Sequence, residues 1–466
     1  MRVHRIAGLL LAASLTLSAC TSAARNQRNS FERYDEARLA ALSEALKELP
    51  DGGSAADTPD NGLTGTLDLD QLVRQAEVHS PRLAAAYEKW RGAVAGITFS
   101  TALPDATFSY TEFIRSIETR LGPIERRFML QQGVPNPGKL VAREEQAAGQ
   151  AAAMQANFEA TRLGLRESLV LAYIELQSLD ARLEILRELA QTLRSIEEVI
   201  EARVTASLAP QSALLRVQVE AQRLESDAES LEKRRPAIAA ALTAIVGTRV
   251  SSKAHAAALS KTLPANLPEE AKLVALAIDH PSVQEEFARM SIADAKVNEA
   301  GWMWVPDMFF GVEYQMVGKP DIPSAMLPNE YGEDAVAVTV GLTIPWQFHV
   351  NLSRGDMARA ERQAAKFMVD QRRLDIHARL EQQLFAWSDA ARLVELYDGT
   401  VLPKARQTLE LVRSDFTADS ATLTDVLDSE RALLAAELSL VNSRVDLLKA
   451  EARIESIVAR DLETIQ

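Results

Sequence analysis

The sequence predicts a mainly α protein with a small β part: long antiparallel coiled-coil helices in a tandem repeat, plus four membrane-type β-strands per chain. Three observations predict it. Ala, Leu, Glu, Arg and Gln dominate a 466-residue chain that holds only 20 Gly and 18 Pro, which favours long helices over a doubly wound sheet. Two stretches of about 200 residues carry the same succession of turn residues, the mark of a duplication. Within each stretch stand short runs with an apolar residue at every second position, the period of a strand.

Composition excludes several classes. With 51 Lys+Arg against 65 Asp+Glu the net charge is −14, and nucleic acid as a main partner needs the opposite sign. One Cys rules out a disulfide framework and any Cys-cluster metal site.

The first twenty residues, MRVHRIAGLLLAASLTLSAC, place Arg2 and Arg5 before an apolar run from Ile6 to Leu17. That run falls short of the roughly 20 residues a spanning helix needs and is followed by small residues, so residues 1–19 form a cleavable export signal. Leu17-Ser18-Ala19-Cys20 resembles a bacterial lipobox, in which Cys20 is acylated and becomes the first mature residue. An ordinary signal that happens to contain Cys is the weaker reading, because the only Cys sits where lipid attachment requires it. Thr21 is not Asp, which by analogy with lipoprotein sorting favours the outer membrane. After Cys20 there is no run of 18 apolar residues, so any membrane crossing is made by strands. Residues 20–66 are polar, contain DGGSAADTPDNG, and are expected to be a lipid-anchored flexible linker.

The first repeat covers residues 67–262 and the second 263–466. LVRQAEVHSP at 72–81 matches LVALAIDHP at 273–281, and Leu103-Pro104-Asp105 matches Val305-Pro306-Asp307. Two strand-like runs follow in each copy, then a Pro (Pro135, Pro345), a Gly (Gly138, Gly355) and a long Ala-rich helix. Chance similarity between two Ala/Leu-rich regions does not align turn residues in this way.

Residues 139–204 contain no Pro, so one helix of about 65 residues, roughly 100 Å, is expected. Leu176, Leu183, Ala190 and Leu179, Leu186, Leu193, Ile200 recur at heptad spacing; Leu427, Leu434, Val441, Leu448 and Leu433, Leu440, Leu447, Ile454 do the same in the second copy. Period seven implies supercoiled pairs, with folding back at Ala209-Pro210 and at Ser414–Thr422.

In the strand-like runs Phe310, Val312, Tyr314 and Met316 alternate with Gly311, Glu313 and Gln315, and Val336 to Ile344 alternates with Ala337, Thr339, Gly341 and Thr343. Phe108 with Tyr110, and Phe128 with Leu130, are the first-copy counterparts. One apolar and one small or polar face fits barrel strands of about ten residues; two hairpins capping a soluble domain is the blander alternative. Four strands close no barrel, so copies must combine: two give eight strands, three give twelve.

The run Gly133-Val134-Pro135-Asn136-Pro137-Gly138-Lys139 has the spacing of a phosphate-binding loop but places Leu140 where Ser or Thr is needed. Its structural reading is a rigid strand-to-helix turn built on Pro135 and Gly138, with Pro345 and Gly355 as counterparts and a helix beginning at Lys139. The six His residues show no ligand spacing and no catalytic constellation stands out; no enzyme activity, cofactor or metal site is expected. The methionines of GWMWVPDMFF suit Cu(I), but Trp302, Trp304 and Phe309 read better as an interfacial aromatic belt. In SDFTADSATLTDVLDSE, residues 414–430, Asp425 and Asp428 share one helix face. In a symmetric oligomer they would stack as carboxylate rings that favour cations and gate an aperture. The competing reading is an ordinary acidic helix N-terminus.

These residues together resemble the TolC-like outer-membrane efflux proteins. The lipobox, the twofold repeat, Pro135 to Lys139 before the long helix, and Thr424-Asp425-Val426-Leu427-Asp428 carry the resemblance, and the turn is similar to the branch with heavy-metal exporters. The resemblance implies a homotrimer with a 12-strand barrel in the outer membrane and a helical barrel crossing the periplasm. It further implies a periplasmic adaptor and an inner-membrane pump as partners, and a passive exit duct for small molecules or metal ions. It places an acidic gate at Asp425 and Asp428. Phe416 stands where the family usually has Tyr, and Asp419 where it usually has Gly. Arg216, opposite in the first repeat, is expected to pair with Asp428 in the closed state. The alternative is a lipid-anchored periplasmic coiled-coil scaffold without a pore.

Overall fold

The computed structural model describes residues 21–47, 63–119, 122–259, 267–318, 331–462 and 465. The export signal and Cys20 lie outside the described residues. In chain order the elements are α1 (Ser22–Lys47), β1 (Thr66–Leu67), α2 (Leu69–His79), α3 (Pro81–Ser100), β2 (Thr107–Thr119), β3 (Gly122–Val134), α4 (Pro137–Thr205), α5 (Gln211–Glu232), α6 (Arg235–Val246) and β4 (His255–Ala256). The second half adds α7 (Glu270–Ala277), α8 (Pro281–Trp302), β5 (Asp307–Val317), β6 (Ala335–Thr343), α9 (Phe348–Leu396), a π-helical turn (Tyr397–Val401), α10 (Leu402–Thr417) and α11 (Leu423–Val458). The mainly α repeat with two strands per copy is therefore present. The flexible linker expected over residues 20–66 is corrected over Ser22–Lys47, which is a helix whose Ala24 is fully buried. The glycine-rich stretch drew the linker boundary too far toward the N-terminus. No described helix is long and apolar enough to cross a membrane.

The chain divides into two compact units. The first comprises residues 1–35, 89–155 and 285–370 and holds the sheet. Its strands run in the order β2-β3-β5-β6, antiparallel throughout, so among the described residues β2 and β6 are the edges. Register lines up even-numbered residues across the strands: Tyr110, Phe128, Tyr314 and Val336 form one row, Phe108, Leu130, Val312 and Val338 the next, then Phe310 with Val340 and Met308 with Leu342. Odd-numbered residues form the other face, with Thr111, Arg127 and Gln315 in one row and Gln131, Gly311 and Thr339 in another. The even-numbered face is mainly apolar, interrupted by Gln132 beside Phe310, and the odd-numbered face is mainly small or polar, with Met129 and Phe309 as exceptions to the alternation.

Where the sheet meets α4, Asn136 caps the helix: its Oδ1 accepts from Gly138 N (2.8 Å). Asp307, opening β5, accepts from Asn136 N (2.8 Å) and from Lys139 Nζ through both oxygens (2.9 Å each). Lys139 is thus the buried partner of a carboxylate, not a free phosphate ligand. Gly138 is required because a Cβ there would overlap the Trp302 ring. The helix starts at Pro137 and not Lys139, since proline suits the first helical position. The counterpart turn departs more. Pro345 lies between β6 and α9, but Gly355 sits inside α9, seven residues past its start, where its Cβ would meet only the Arg359 side chain. With no proline between Pro345 and Pro403, the helix simply begins earlier. Phe309, expected beside Trp302 and Trp304, lies over Gly341 on the polar face. Trp304 stacks on Phe348 at 6.0 Å.

The second unit, residues 36–88, 156–284 and 371–466, is helical. The heptad positions Leu176, Leu179, Leu183, Leu186, Ala190, Leu193 and Ile200 are all buried. Leu186, Ala190 and Leu193 of α4 pack with Ala221 and Leu224 of α5 and with Leu427 of α11, each large side chain contributing about 1.5–3 kcal/mol on burial. Pro403 cannot donate to the preceding turn, and the chain accommodates it with the π turn directly before α10. Tyr173 OH donates to Leu67 O and accepts from Ala257 N (3.0 Å each), holding the short parallel pair β1–β4. Beside it the buried Arg235 pairs with Asp180 (2.6 Å) and Glu232 (2.8 Å).

Two outcomes follow. Gly138→Ala should lower stability by about 1–3 kcal/mol through overpacking against Trp302, read as a lower denaturant midpoint; an unchanged midpoint contradicts the close approach. His280 caps α8 as an acceptor from Ser282 N (3.1 Å), and burial, helped by Arg379 and Arg372, lowers its pKa to about 4. The unfolded chain protonates near 6.5, so His280 favours the fold fully above that pH. The contribution falls away between about 6.5 and 4, by up to about 3 kcal/mol. Comparing His280→Gln with wild type from pH 7 to 4 should show the acid loss of midpoint shrink; equal losses refute the assignment.

Candidate functional site: the acidic hairpin tip

In the second unit the long helices fold back through two matching turns. α4 ends with Ser207 at φ 62° and Leu208 N donating to Arg203 O (2.7 Å); α10 ends with Asp419 at φ 60° and Ser420 N donating to Asp415 O (2.8 Å). Both are left-handed helix stops of the Schellman kind. Asp419 therefore adopts the left-handed conformation that glycine accommodates most easily, at a cost of order 1 kcal/mol. Its side chain is exposed and pairs with Arg203. The Arg203 guanidinium also lies 5.3 Å from the centre of the Phe416 ring, within cation–π range. Phe416 packs against the Ile200, Leu214 and Val217 cluster. Arg203 thus holds both the Phe416 ring and the Asp419 carboxylate, tying α4 to the turn after α10.

α11 opens with a capping box: Thr422 Oγ1 accepts from Asp425 N (3.3 Å), and Asp425 Oδ2 accepts from Thr422 Oγ1 (2.7 Å) and Thr422 N (2.8 Å). The Thr422 hydroxyl, then its backbone N–H, holds the Asp425 carboxyl below the usual range, so it stays ionised. Asp428 accepts from Arg431 Nη1 (3.2 Å), while Arg431 grips Glu220 of α5 through Nε (3.0 Å) and Nη2 (2.8 Å). That grip lowers the Glu220 pKa. Asp425 and Asp428 are both exposed, and Val426 and Leu427 between them are buried.

The structure thus brings Asp425, Asp428, Arg216, Phe416 and Asp419 to one tip. The pairing of Arg216 with Asp428 is corrected: Arg216 Nη1 donates to Thr424 Oγ1 (3.1 Å), and Asp428 is taken by Arg431, one helical turn away. Pro135, Gly138 and Pro345 belong to the strand-to-helix junctions of the other unit, and Gly355 to α9. Sequence reasoning missed Arg203, Arg431 and Glu220, whose partners lie 216 and 211 positions away. The capping box was legible, since Thr422 and Asp425 are three apart before an apolar run. Among the described residues no group of His, Cys, Asp and Glu is arranged to hold a metal.

Residues 274–460 match the family model for outer membrane efflux proteins. No curated protein matches by sequence. Among solved structures, CusC is similar at 17% identity, covering 88% of this chain and 98% of that one, with a TM-score of 0.70. The outer membrane protein VceC of Vibrio cholerae is similar at 18% identity over 84% of this chain and 96% of that one, TM-score 0.67. The Neisseria gonorrhoeae MtrE outer membrane channel in its open state is similar at 15% identity over 89% and 96%, TM-score 0.67. The sequence pattern of outer membrane efflux proteins thus spans most of the second repeat, and the fold of these channels extends over both repeats.

Proposed function

We propose that the protein is the outer-membrane channel subunit of a tripartite efflux system, a passive exit duct for small molecules or metal ions. The observation that carries this reading is the sheet. From Val336 to Ile344 an apolar residue recurs at every second position, and Val336, Val338, Val340 and Leu342 are exposed. At about 3.4 Å per residue and a tilt of about 40° this gives an apolar band of about 20 Å, close to that of membrane barrels. The row Tyr110, Phe128, Tyr314 closes one end of the band, with ring centres 5.2 and 6.3 Å apart, as an interfacial girdle does. Just beyond it stand the charges of Glu112 and Arg126.

Neither free edge tolerates hydrocarbon, which supports a ring of copies, with three giving twelve strands. The family resemblance adds a periplasmic adaptor and an inner-membrane pump as partners, with transport energy supplied by the pump. The chain itself then has no enzymatic role and needs no cofactor. Acylation at Cys20 would add an anchor in the outer membrane. A pore-free scaffold has no use for an exposed apolar sheet face.

At the tip, Asp428 and Asp425 act as an acidic filter, and Arg203 with Asp419 and Phe416 acts as the latch between hairpins. Single-channel recording in planar bilayers tests both. Arg203→Ala should raise resting conductance several-fold. Asp428→Asn should lower cation selectivity while leaving the capping box intact, which Asp425→Asn would not. Unchanged conductance in Arg203→Ala removes the latch; no conductance from a folded oligomer removes the duct.

A further inference from the structure

The two repeats close equivalent helix seams by different means. Between α8 and α9, Lys296 Nζ donates to Glu361 (2.7 Å) and Arg362 pairs with Asp294 (2.5 Å). In the first repeat α3 carries no charge from Gly92 to Ser100, and α4 none from Gln146 to Phe158. That uncharged seam is covered by the N-terminal turn of α1: Ala24, fully buried, packs with Ile97, Ala148 and Ala151. One turn further out Arg28 donates to Thr98 Oγ1 (3.2 Å), and at two turns Phe31 meets the Trp90 ring edge-on at 5.2 Å.

At the end of this contact lies Glu144, only 3% exposed. A buried carboxylate is costly unless hydrogen-bonded, and this one accepts the backbone N–H of Thr21 (3.0 Å). Thr21 in turn caps α1, its Oγ1 accepting from Ala24 N (3.3 Å). The positive end of the α1 dipole therefore faces a buried negative charge.

We propose that Glu144 is a positioning residue for the chain's N-terminus, a post that fixes the backbone where it leaves Cys20. Glu144 lies seven residues into α4, about 10 Å from the sheet-side end of that helix. The purpose rests on the membrane reading above: an acyl group on Cys20 would then enter the leaflet next to the near end of the apolar band. The acyl depth is set by a side chain of the first repeat and not by a free tether.

Limited trypsin digestion of the full-length protein in membranes tests the post, with cleavage after Arg25 and Arg28 as readout. Glu144→Ala should speed that cleavage about tenfold, the effect of losing about 1.4 kcal/mol. Glu144→Gln keeps an acceptor oxygen and should stay near wild type, a rescue that mere loss of packing would not show. Ala24→Arg cannot be buried and should release α1 with Glu144 untouched, so the test survives if Glu144→Ala fails to fold. Unchanged cleavage after Arg25 and Arg28 in a folded Glu144→Ala overturns the proposal, and where that variant does not fold, unchanged cleavage after Arg25 and Arg28 in Ala24→Arg does so. Mass spectrometry of the N-terminal peptide reports acylation separately: an unmodified Cys20 with Glu144-dependent protection overturns the anchoring purpose and leaves the clasp.

Discussion

Unpaired backbone at the two sheet edges is the constraint on which the architecture depends. Among the described residues, no strand pairs with the outer side of β2 or of β6. In water such an edge invites pairing; in hydrocarbon it demands it, because each unsatisfied group costs several kcal/mol. The apolar face makes hydrocarbon the environment these strands suit. On the membrane reading proposed above, closure by identical copies would satisfy both edges at once. The long helices would then share that symmetry, and so would any function placed at their tips.

Duplication supplies most of the parts and asymmetry supplies the functions. Both repeats make a helix pair, two strands and a long hairpin, and the outgoing arms span 137–205 and 348–417. The differences are few and local. Only the second arm is interrupted by a π turn, at Pro403. Only the second hairpin tip carries exposed aspartates, because Ser207, Ala213 and Arg216 occupy in the first repeat the places that Asp419, Asp425 and Asp428 take in the second. Only the first repeat has a charge-free seam, and α1 fills it. Each asymmetry adds one property that an exact repeat lacks.

Much of this was legible in the residues. Heptads at Leu176 to Ile200 named the buried face of α4, and alternation from Val336 to Ile344 named the apolar face of β6, because both periods are local. Long-range pairing was not legible. Arg431 reaches Glu220 and Arg203 reaches Asp419 across more than two hundred positions, and nothing in the local sequence distinguishes these arginines from other surface ones. Arg216 was the natural partner for Asp428 by opposition in the repeat, yet Arg431 wins because it is three residues away on the same helix. Gly355 misled for a related reason: a glycine after a proline reads as a turn, whereas a helix with no nearby breaker extends back through it. The Tyr110, Phe128, Tyr314 row needed register, which alternation alone does not fix.

The tip shows how a structural and a functional demand share one residue. Asp425 satisfies the first turn of α11, and the same hydrogen bonds that cap the helix hold its carboxyl ionised. A carboxylate fixed in this way cannot swing to neutralise itself against a neighbouring cation. In a ring of copies it would remain a point of negative charge at a set position. Asp428 differs, since its partner Arg431 also holds Glu220. The charge it presents therefore depends on where that arginine sits, and the grip of Arg431 on Glu220 links that position to the packing of α11 on α5. The capped aspartate is the constant element of the tip, and the shared arginine couples the variable one to the packing of the hairpins.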